Sequence, residues 1–212
     1  MKSQQEQLDA LKDIRNMMER SSRFSSLSGL SGVLIGLYAL IGVAIFCIYS
    51  NFSPLEKGYY HLLSNTEGGS DTGSLSLLIL IAGSVLLLSL ITGTIMSLRK
   101  SKKIQEPIWD NTSRRMLTNM LIPLITGCIF ILVLLTNNLV AFLAPVSLIF
   151  YGLSLVNASK YTIEDIRYLG VIEIILGLSS AWWIDLGLIN WTIGFGILHI
   201  TYGLFLHSKH EK

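Results

Sequence analysis

Six long runs of apolar residues, separated by short polar stretches, make up most of the 212-residue chain. A helix needs about 20 mainly apolar residues to cross the hydrocarbon core of a bilayer, which is about 30 Å thick. The runs are continuously apolar, whereas strands of a membrane barrel would alternate apolar and polar residues. The pattern therefore predicts an all-α, polytopic membrane helical bundle. Its six transmembrane helices are expected over residues 27–49, 74–98, 116–135, 139–157, 166–183 and 186–207.

Composition supports a membrane protein without a separate soluble domain. Hydrophobic residues make up 51% of the chain and charged residues only 14%, which is far from a typical soluble domain. The predicted organisation is a cytoplasmic amphipathic helix within residues 1–26, a transmembrane domain over 27–207 and a short cytoplasmic tail, 208–212. Any function must therefore arise from the bundle and its loops.

Basic residues are sorted to one side of this predicted bundle. If the N-terminus is cytoplasmic, fifteen of the sixteen Lys and Arg residues lie in cytoplasmic segments, and only Lys57 lies in an outer loop. The positive-inside rule then places both termini in the cytoplasm. Trp182, Trp183 and Trp191 fit an outer aromatic belt, and Trp109 fits the inner surface. We expect a multi-pass protein of a bacterial inner (cytoplasmic) membrane, with the lipid bilayer as its first partner.

Recurring short sequence motifs suggest three helical hairpins in series. Tyr151-Gly152-Leu153-Ser154-Leu155 and Tyr202-Gly203-Leu204-Phe205-Leu206 end the fourth and sixth runs, fifty-one residues apart. The first, third and fifth runs carry glycines at comparable places, and aligning these glycines puts one Gly, one Pro and one Glu in register. Hairpins that all begin inside would be parallel repeats about an axis along the membrane normal. The aligned glycines are Gly36, Gly127 and Gly177, and the residues in register are Gly32, Pro123 and Glu173.

The segment before the first run is predicted to form an amphipathic helix over residues 4–24. Apolar residues fall on one stripe about 120° wide, and acidic residues are nearly as many as basic ones. The helix would lie on the inner leaflet, pair with its copy in a second subunit, or dock on a cytosolic protein, and the charge balance favours a protein contact. The acidic residues and the length of the apolar run argue against a signal peptide. The stripe consists of Leu8, Leu11, Ile14 and Met18.

Small residues predict close helix packing in the first run. Gly32 and Gly36 form a small-xxx-small pair, and such residues let two helix backbones approach closely in lipid. The spacing does not say whether the partner is another span or another subunit. The candidate packing residues are Ser28, Gly29, Gly32, Gly36, Gly177, Gly196 and Gly203.

A family resemblance begins at the same place. The run Met18-Glu19-Arg20-Ser21-Ser22-Arg23-Phe24-Ser25-Ser26-Leu27-Ser28-Gly29-Leu30-Ser31-Gly32 resembles the opening of a family of small, uncharacterised multi-span inner-membrane proteins of Bacteroidetes type. The similarity is limited to about residues 18–42. It implies inner-membrane placement, and it brings no activity with it.

Glu173 is the one charged residue that lies in the interior of a predicted span, because all the others lie in tails, loops or span ends. A charge there costs about 2.5–3.5 kcal/mol on insertion scales, so the side chain is expected to face protein or water. Gly170, Gly177 and Ser180 share its helix face, and His199 lies on a matching stripe of the next span. Both residues are expected roughly 10–12 Å from the inner ends of their helices, at 1.5 Å per residue. We therefore expect Glu173 and His199 to meet.

A Glu–His contact inside the membrane has two interpretations. It can exchange a proton near neutral pH and act as a relay or coupling site. It can equally hold a neutral carboxyl in a hydrogen bond that fixes the register of the two helices. The sequence leaves both interpretations open for Glu173 and His199.

Motifs of known enzyme classes are missing from the sequence, which contains no phosphate-binding glycine loop, no H-E-x-x-H and no G-x-S-x-G. No metal site, cofactor or nucleic-acid partner is expected, and Cys47 and Cys128 are interpreted as small apolar fillers. The favoured function is a non-catalytic scaffold, sensor or interaction protein. It would form a homo-oligomer through the first span, or bind a cytosolic protein through residues 4–24 and 99–115. The alternative is a small proton-linked transporter or channel that uses Glu173 and His199.

Overall fold

The computed structural model describes residues 28–53, 72–105 and 109–210, and every regular element in these ranges is helical. The first three helices are α1 (Gly29–Ser50), α2 (Thr72–Ile104) and α3 (Asn111–Thr136). A 3₁₀ turn at Val140–Phe142 leads into α4 (Leu143–Ala158), which is followed by α5 (Ile166–Trp182). The sixth helix, α6, follows a 3₁₀ turn at Ile184–Leu186 and has three parts. These are an α-helical turn Gly187–Trp191, a π-helical segment Thr192–Leu198 and a final α-helix His199–His210.

The all-helical class is confirmed for these residues. Five helices are long and apolar enough to cross a membrane: α1, α2, α3, α4 with its leading turn, and α6 with its leading turn. The fifth predicted span corresponds to α5, whose 17 residues lie at the short end of the usual range for a span. The predicted amphipathic helix at residues 4–24 lies outside the described residues.

Local sequence explains where the helices begin and end. Asp110 caps α3, because its carboxylate accepts hydrogen bonds from the backbone N–H and the hydroxyl of Ser113 at 2.7 and 2.6 Å. Asn51 ends α1 with a left-handed φ of 49°, and Asn138 turns the chain between α3 and α4 with a φ of 57°. Asn tolerates this conformation better than most residues. Pro145 lies in the first turn of α4, where a missing amide donor is harmless.

The lateral order of the helices differs from a simple row of hairpins. Consecutive helices α1 and α2 pack together, as do α3 and α4, but α5 contacts α6 mainly through the first half of α6. The two most extensive contacts join α4 to α5 and α1 to α6. Two clusters of buried apolar side chains lie at these junctions, one around Phe46 and Leu188 and the other around Leu155 and Leu169.

The small-residue face of α1 packs on α6. A Cβ atom at Gly36 would meet the carbonyl oxygen of Gly196 at 2.6 Å, and one at Gly203 would meet the carbonyl oxygen of Gly29 at 2.6 Å. Ser28 is buried at the start of this face and accepts a hydrogen bond from the Ser31 hydroxyl. The partner that the sequence left open is therefore a span of the same chain. Within the chain, α6 covers this face, and self-association through the first span stays a prediction.

Gly32 and Gly177 complete the set of packing glycines. A Cβ atom at Gly32 would meet the Cα of Gly203 at 3.2 Å, and one at Gly177 would meet the carbonyl oxygen of Pro145 at 2.9 Å. The first contact joins α1 to α6, and the second joins α5 to α4. Both pairs of helices therefore approach closely enough for backbone–backbone van der Waals contact.

Candidate functional site

Glu173 lies at the centre of the inward face of α5. Its side chain has no exposed area, and Gly170, Gly177 and Ser180 are buried on the same face. Small residues one and two turns away let α4 approach α5 closely, so the longer glutamate side chain projects into the space between helices. This position keeps the carboxyl group away from lipid, as the cost of a charge in a bilayer requires.

His199 lies opposite Glu173 at the start of the last part of α6. Its side chain is 4% exposed, and its Nδ1 atom is 3.6 Å from Oε1 of Glu173. This separation exceeds a hydrogen bond but is short enough for a direct electrostatic interaction between charged forms. The structure thus brings together the two residues that the sequence analysis paired.

The ring of His199 is held by two hydrogen bonds of its own. Its Nδ1 is 2.9 Å from the carbonyl oxygen of Gly194, and its Nε2 is 2.7 Å from the hydroxyl of Tyr151. A carbonyl oxygen only accepts, so Nδ1 carries a proton and donates it to Gly194. In the neutral ring Nε2 then accepts from the Tyr151 hydroxyl. These partners fix both the tautomer and the orientation of the ring.

The π-helical segment Thr192–Leu198 shapes the site from the side of α6. Gly194 lies within this segment, and its open side contacts the carboxyl group of Glu173 so closely that a Cβ atom there would collide with Oε2. Its carbonyl oxygen also holds His199. Single π-helical turns inside α-helices are rare and are frequent at functional sites. One residue of α6 therefore meets both members of the Glu–His pair.

Aromatic rings enclose the histidine. Phe195 stacks on the ring of His199 with the centroids 5.8 Å apart, and it also contacts the rings of Tyr151 at 5.0 Å and Trp191 at 4.9 Å. These side chains come from α4 and α6, and they surround the polar atoms with apolar surface. The Tyr151–His199–Glu173 cluster is thus a polar site among closely packed aromatic rings.

The carboxyl group of Glu173 is buried without a hydrogen bond to the described residues. Within the described residues, neither Oε1 nor Oε2 of Glu173 has a hydrogen-bond partner, and the buried hydroxyl of Tyr202 also has none. Buried polar atoms are nearly always paired, so unpaired ones call for a physical explanation. A carboxyl group beside an imidazole can hold or release one proton, and that is the chemistry this arrangement offers.

Asn190 forms a separate polar contact in the first turn of α6. Its side-chain amide donates to the hydroxyls of Ser179 and Ser180 at 2.8 and 2.9 Å, and it lies 3.3 Å from the carbonyl oxygen of Leu176. The amide thereby ties α6 to α5. The role of Asn190 is to hold two helices together beside the Glu–His pair.

Tyr151, Gly194 and Asn190 are contributors that the sequence analysis did not select. The sequence pointed to Tyr151 only as the first residue of a recurring motif. A tyrosine inside a span nevertheless needs a hydrogen-bond partner for its hydroxyl. Asn190 offered a similar indication, because a side-chain amide in an apolar run needs hydrogen-bond partners. The π-helical segment has no signal of its own in the apolar run Thr192–Leu198.

Charged groups outside the spans make two local contacts. The Asp110 carboxylate accepts hydrogen bonds from the Ser113 hydroxyl and backbone amide, and these bonds lower its pKa below the ordinary value. Lys209 near the end of α6 lies 2.7 Å from Asp165, just before α5. Both contacts stabilise helix ends on the same side of the bundle.

No cluster of three or more His, Cys, Asp or Glu side chains that would suit a metal ion occurs in the part of the chain that the structure describes. Comparisons of the chain with family models, curated proteins and solved structures find no match.

Proposed function

We propose that the chain crosses a bacterial inner membrane six times, as three hairpins, with both termini in the cytoplasm. The distribution of Lys and Arg supports this orientation. Trp182 and Trp183 are 81% and 59% exposed at one end of α5, and Trp109 is exposed before α3 at the other end of the bundle, as interfacial aromatic belts would be. In this topology α5 also crosses the membrane, as a short span that is fifth in chain order. Its polar face is covered by α4 and α6. The resemblance of residues 18–42 to inner-membrane proteins of Bacteroidetes type supports the same placement.

We further propose that the protein is a non-catalytic membrane sensor or interaction protein. In this role, protonation of the Tyr151–His199–Glu173 cluster adjusts how α4, α5 and α6 pack. The observation that carries the proposal is the burial of all the polar atoms of Glu173 and His199 between three helices, within a few ångströms of the π-helical segment. A change of charge in a packed, apolar junction alters the interaction between helices rather than the exposure of a surface group.

Two neutral substitutions test this role. Glu173→Gln keeps the shape of the side chain but cannot ionise, and Ser180→Ala serves as a control because it removes a buried hydroxyl from the same helix face. The protein in lipid nanodiscs should change helix packing between about pH 5 and pH 8, measured by tryptophan fluorescence and limited proteolysis. Glu173→Gln should abolish this change and Ser180→Ala should retain it. An identical pH response in all three proteins would exclude the cluster as the sensing element.

A proton-linked transporter or channel is the second candidate. The observation that favours it is the pair of Glu173 oxygens without hydrogen-bond partners beside a π-helical segment. Proteoliposomes loaded with a pH-sensitive dye and given a pH gradient would show proton movement that disappears in Glu173→Gln. If the wild-type protein moves no protons above the rate of empty liposomes, this candidate falls while the sensor proposal stands.

A cytosolic protein partner is part of the proposal. It would contact residues 4–24 and the basic region 99–115, in which α2 continues beyond the predicted span as far as Ile104. Deleting residues 1–24 should remove a specific protein that copurifies after extraction with mild detergent. An unchanged set of copurified proteins would exclude the N-terminal contact.

A further inference from the structure

The hydroxyl of Tyr202 in α6 is a buried polar group outside the Glu–His pair and its direct partners. Its oxygen atom is shielded from solvent and has no hydrogen-bond partner among the described residues. The ring packs against buried apolar side chains of α4 and α5. Buried polar atoms are nearly always paired, so the position of this hydroxyl between three helices calls for a physical explanation.

Tyr202 lies between the Glu–His pair and one end of the bundle, the end at which α5 begins and α6 ends. It follows His199 by three residues, so it occupies a neighbouring position on the same face of α6, about 4.5 Å closer to that end. At the end itself, Nζ of Lys209 in α6 is 2.7 Å from Oδ2 of Asp165, the residue before α5. Two polar contacts therefore join α5 to α6 at different depths, and Tyr202 lies between them along α6.

Electrostatic interactions connect Tyr202 to both contacts. Its hydroxyl interacts with the carboxylate of Asp165, and the hydroxyl of Tyr151 interacts with both Tyr202 and Glu173. Tyr151 is in turn hydrogen-bonded to Nε2 of His199 at 2.7 Å. These groups form a series from the end of the bundle to the buried carboxyl group, in the order Asp165, Tyr202, Tyr151, His199 and Glu173.

The opposite end of the bundle has a different kind of polar contact. There the hydroxyls of Ser179 and Ser180 each donate to the carbonyl oxygen of Leu176 and accept from the side-chain amide of Asn190. A hydroxyl has one proton to donate, and a backbone carbonyl or an amide does not take up and pass on protons as an imidazole or a carboxylate does. Each hydroxyl proton in this set is therefore committed to a structural hydrogen bond, and the set forms no path toward Glu173.

We propose that Tyr202 is a proton relay between the cytoplasm and Glu173, with Asp165 as the group that takes up protons at the surface. The proposal deepens the proposed function and rests on it, since that function requires the Tyr151–His199–Glu173 cluster to change protonation in a topology with both termini in the cytoplasm. Its consequence is that the protein responds to the pH of the cytoplasm and not to the pH outside.

Each step of the relay conserves protons and charge. Asp165 takes a proton from cytoplasmic water and passes it on, and the hydroxyls of Tyr202 and Tyr151 each accept one proton and release their own. The ring of His199 takes up the proton at Nε2 and releases its Nδ1 proton to the carboxylate of Glu173, 3.6 Å away. The carboxylate becomes neutral, and the other groups keep their charge. Release to the cytoplasm follows the same steps in reverse and restores the Nδ1–H form of the ring.

The surroundings of Tyr202 suit this role. The helix α1, which packs on α6, contains no Asp, Glu, Lys, Arg or His within Gly29–Ser50. Tyr202 faces Tyr151 of α4 and Asp165 before α5, and on its own helix it lies between His199 and Lys209. Because Tyr202 makes no direct hydrogen bond to the described residues, water bridges its steps to both neighbours in the series.

The rate at which Glu173 gains a proton tests the relay. The protein in lipid nanodiscs is taken rapidly from about pH 8 to about pH 5. Time-resolved infrared spectroscopy follows the C=O stretching band of the protonated carboxyl, identified by its absence in Glu173→Gln. Tyr202→Phe keeps the ring but lacks the hydroxyl, so it should slow the band by about tenfold or more and leave its final amplitude unchanged. Tyr38→Phe is the matched control with the wild-type rate, because the Tyr38 hydroxyl contacts Thr92 between α1 and α2.

Two carboxylates at opposite ends of the bundle test where the proton enters. Asp165→Asn should slow the band, whereas Asp185→Asn, in the turn Ile184–Leu186 at the other end, should leave its rate unchanged. Lys209→Met breaks the ion pair but keeps the Asp165 carboxylate, so its rate should stay close to that of the wild type.

Each contrary result has a definite meaning. Equal rates in Tyr202→Phe and the wild type, with a wild-type band of full amplitude, would overturn the relay and leave the proposed function standing. A band slowed by Asp185→Asn but not by Asp165→Asn would place proton entry at the opposite end and would also overturn it. Equal slowing by Asp165→Asn and Lys209→Met would trace the effect to the helix-end contact and remove Asp165 from the relay. A wild-type protein without the band at either pH would overturn the proposed function, and the relay with it.

Discussion

His199 of α6 faces Glu173 of α5 across 3.6 Å, and its other ring nitrogen is hydrogen-bonded to Tyr151 of α4 at 2.7 Å. One imidazole therefore connects three helices through polar contacts inside an apolar bundle. Its orientation depends on Gly194, whose carbonyl oxygen accepts the Nδ1 proton at 2.9 Å.

Tyr151 and His199 should be energetically coupled through their hydrogen bond. Tyr151→Phe removes the donor and leaves Nε2 of a buried ring without a partner, which should cost about 1–3 kcal/mol. A double-mutant cycle with His199→Phe should give a coupling energy of about 0.5–3 kcal/mol, measured from unfolding in mixed micelles. Tyr38→Phe is the control, because its bond to Thr92 is longer, at 3.2 Å, and joins only α1 to α2. Additive effects of Tyr151→Phe and His199→Phe would show that the bond is absent in solution.

Gly194 should be intolerant of even one added carbon. A Cβ there would collide with Oε2 of Glu173, so Gly194→Ala should lower the unfolding midpoint. Adding Glu173→Asp withdraws the carboxyl by one methylene and should recover part of the loss. Gly83→Ala, in open space on α2, should have little effect. If Gly194→Ala is as stable as the wild type, or if the second substitution gives no recovery, the close contact is wrong.

The glycines between α1 and α6 should carry much of the stability of the bundle. Gly36→Leu would drive a side chain into Ile200 and the carbonyl of Gly196, and overpacking of this kind costs about 1–3 kcal/mol or more. Gly177→Leu should have a similar effect, because it lies at the equivalent position between α5 and α4. Gly83→Leu is again the matched control. Thermal unfolding in detergent followed by gel filtration provides the measurement, and equal stability of Gly36→Leu and Gly83→Leu would refute the packing.

The sequence was sufficient to predict the helical class and the pairing of Glu173 with His199. A single charge in an apolar run must face protein, and the small residues on its helix identified the buried face. His199 was expected at the same membrane depth as Glu173, in the next antiparallel span, which indicated it as the partner. These are local and one-dimensional properties, so they are visible without a structure.

The lateral order of helices and the shape of α6 were not predictable in the same way. Hydrophobic spacing gives the buried face of a helix but not which helix covers it, so the glycines of α1 did not identify α6 as their partner. The π-helical segment contains Gly194, which meets Glu173 and His199 only in the folded bundle. The role of Tyr151 depends on the same packing, because its hydroxyl reaches His199 only once α4 lies beside α6.

The Asp110 cap should make a modest, pH-dependent contribution at the start of α3. Asp110→Ala removes the acceptor for the Ser113 amide and should cost about 0.5–2 kcal/mol, whereas Asp110→Asn should cost less. Because the cap lowers the pKa of Asp110 in the folded protein, its stabilisation is present above the unfolded Asp pKa of about 3.9 and is lost as the pH falls through the folded value. The unfolding midpoint of the protein relative to Asp110→Asn should therefore decrease on acidification. A difference that is constant with pH would contradict the ionised cap.

The most direct test of the central claim is hydrogen–deuterium exchange of the Thr192–Leu198 segment in lipid nanodiscs at about pH 5 and pH 8. Rates are corrected for the intrinsic effect of pH, and the wild-type protein is compared with Glu173→Gln. If protonation of the Tyr151–His199–Glu173 cluster adjusts helix packing, protection of this segment changes with pH in the wild type and is constant in Glu173→Gln. Equal protection at both pH values in the wild type, or the same change in both proteins, would contradict the account.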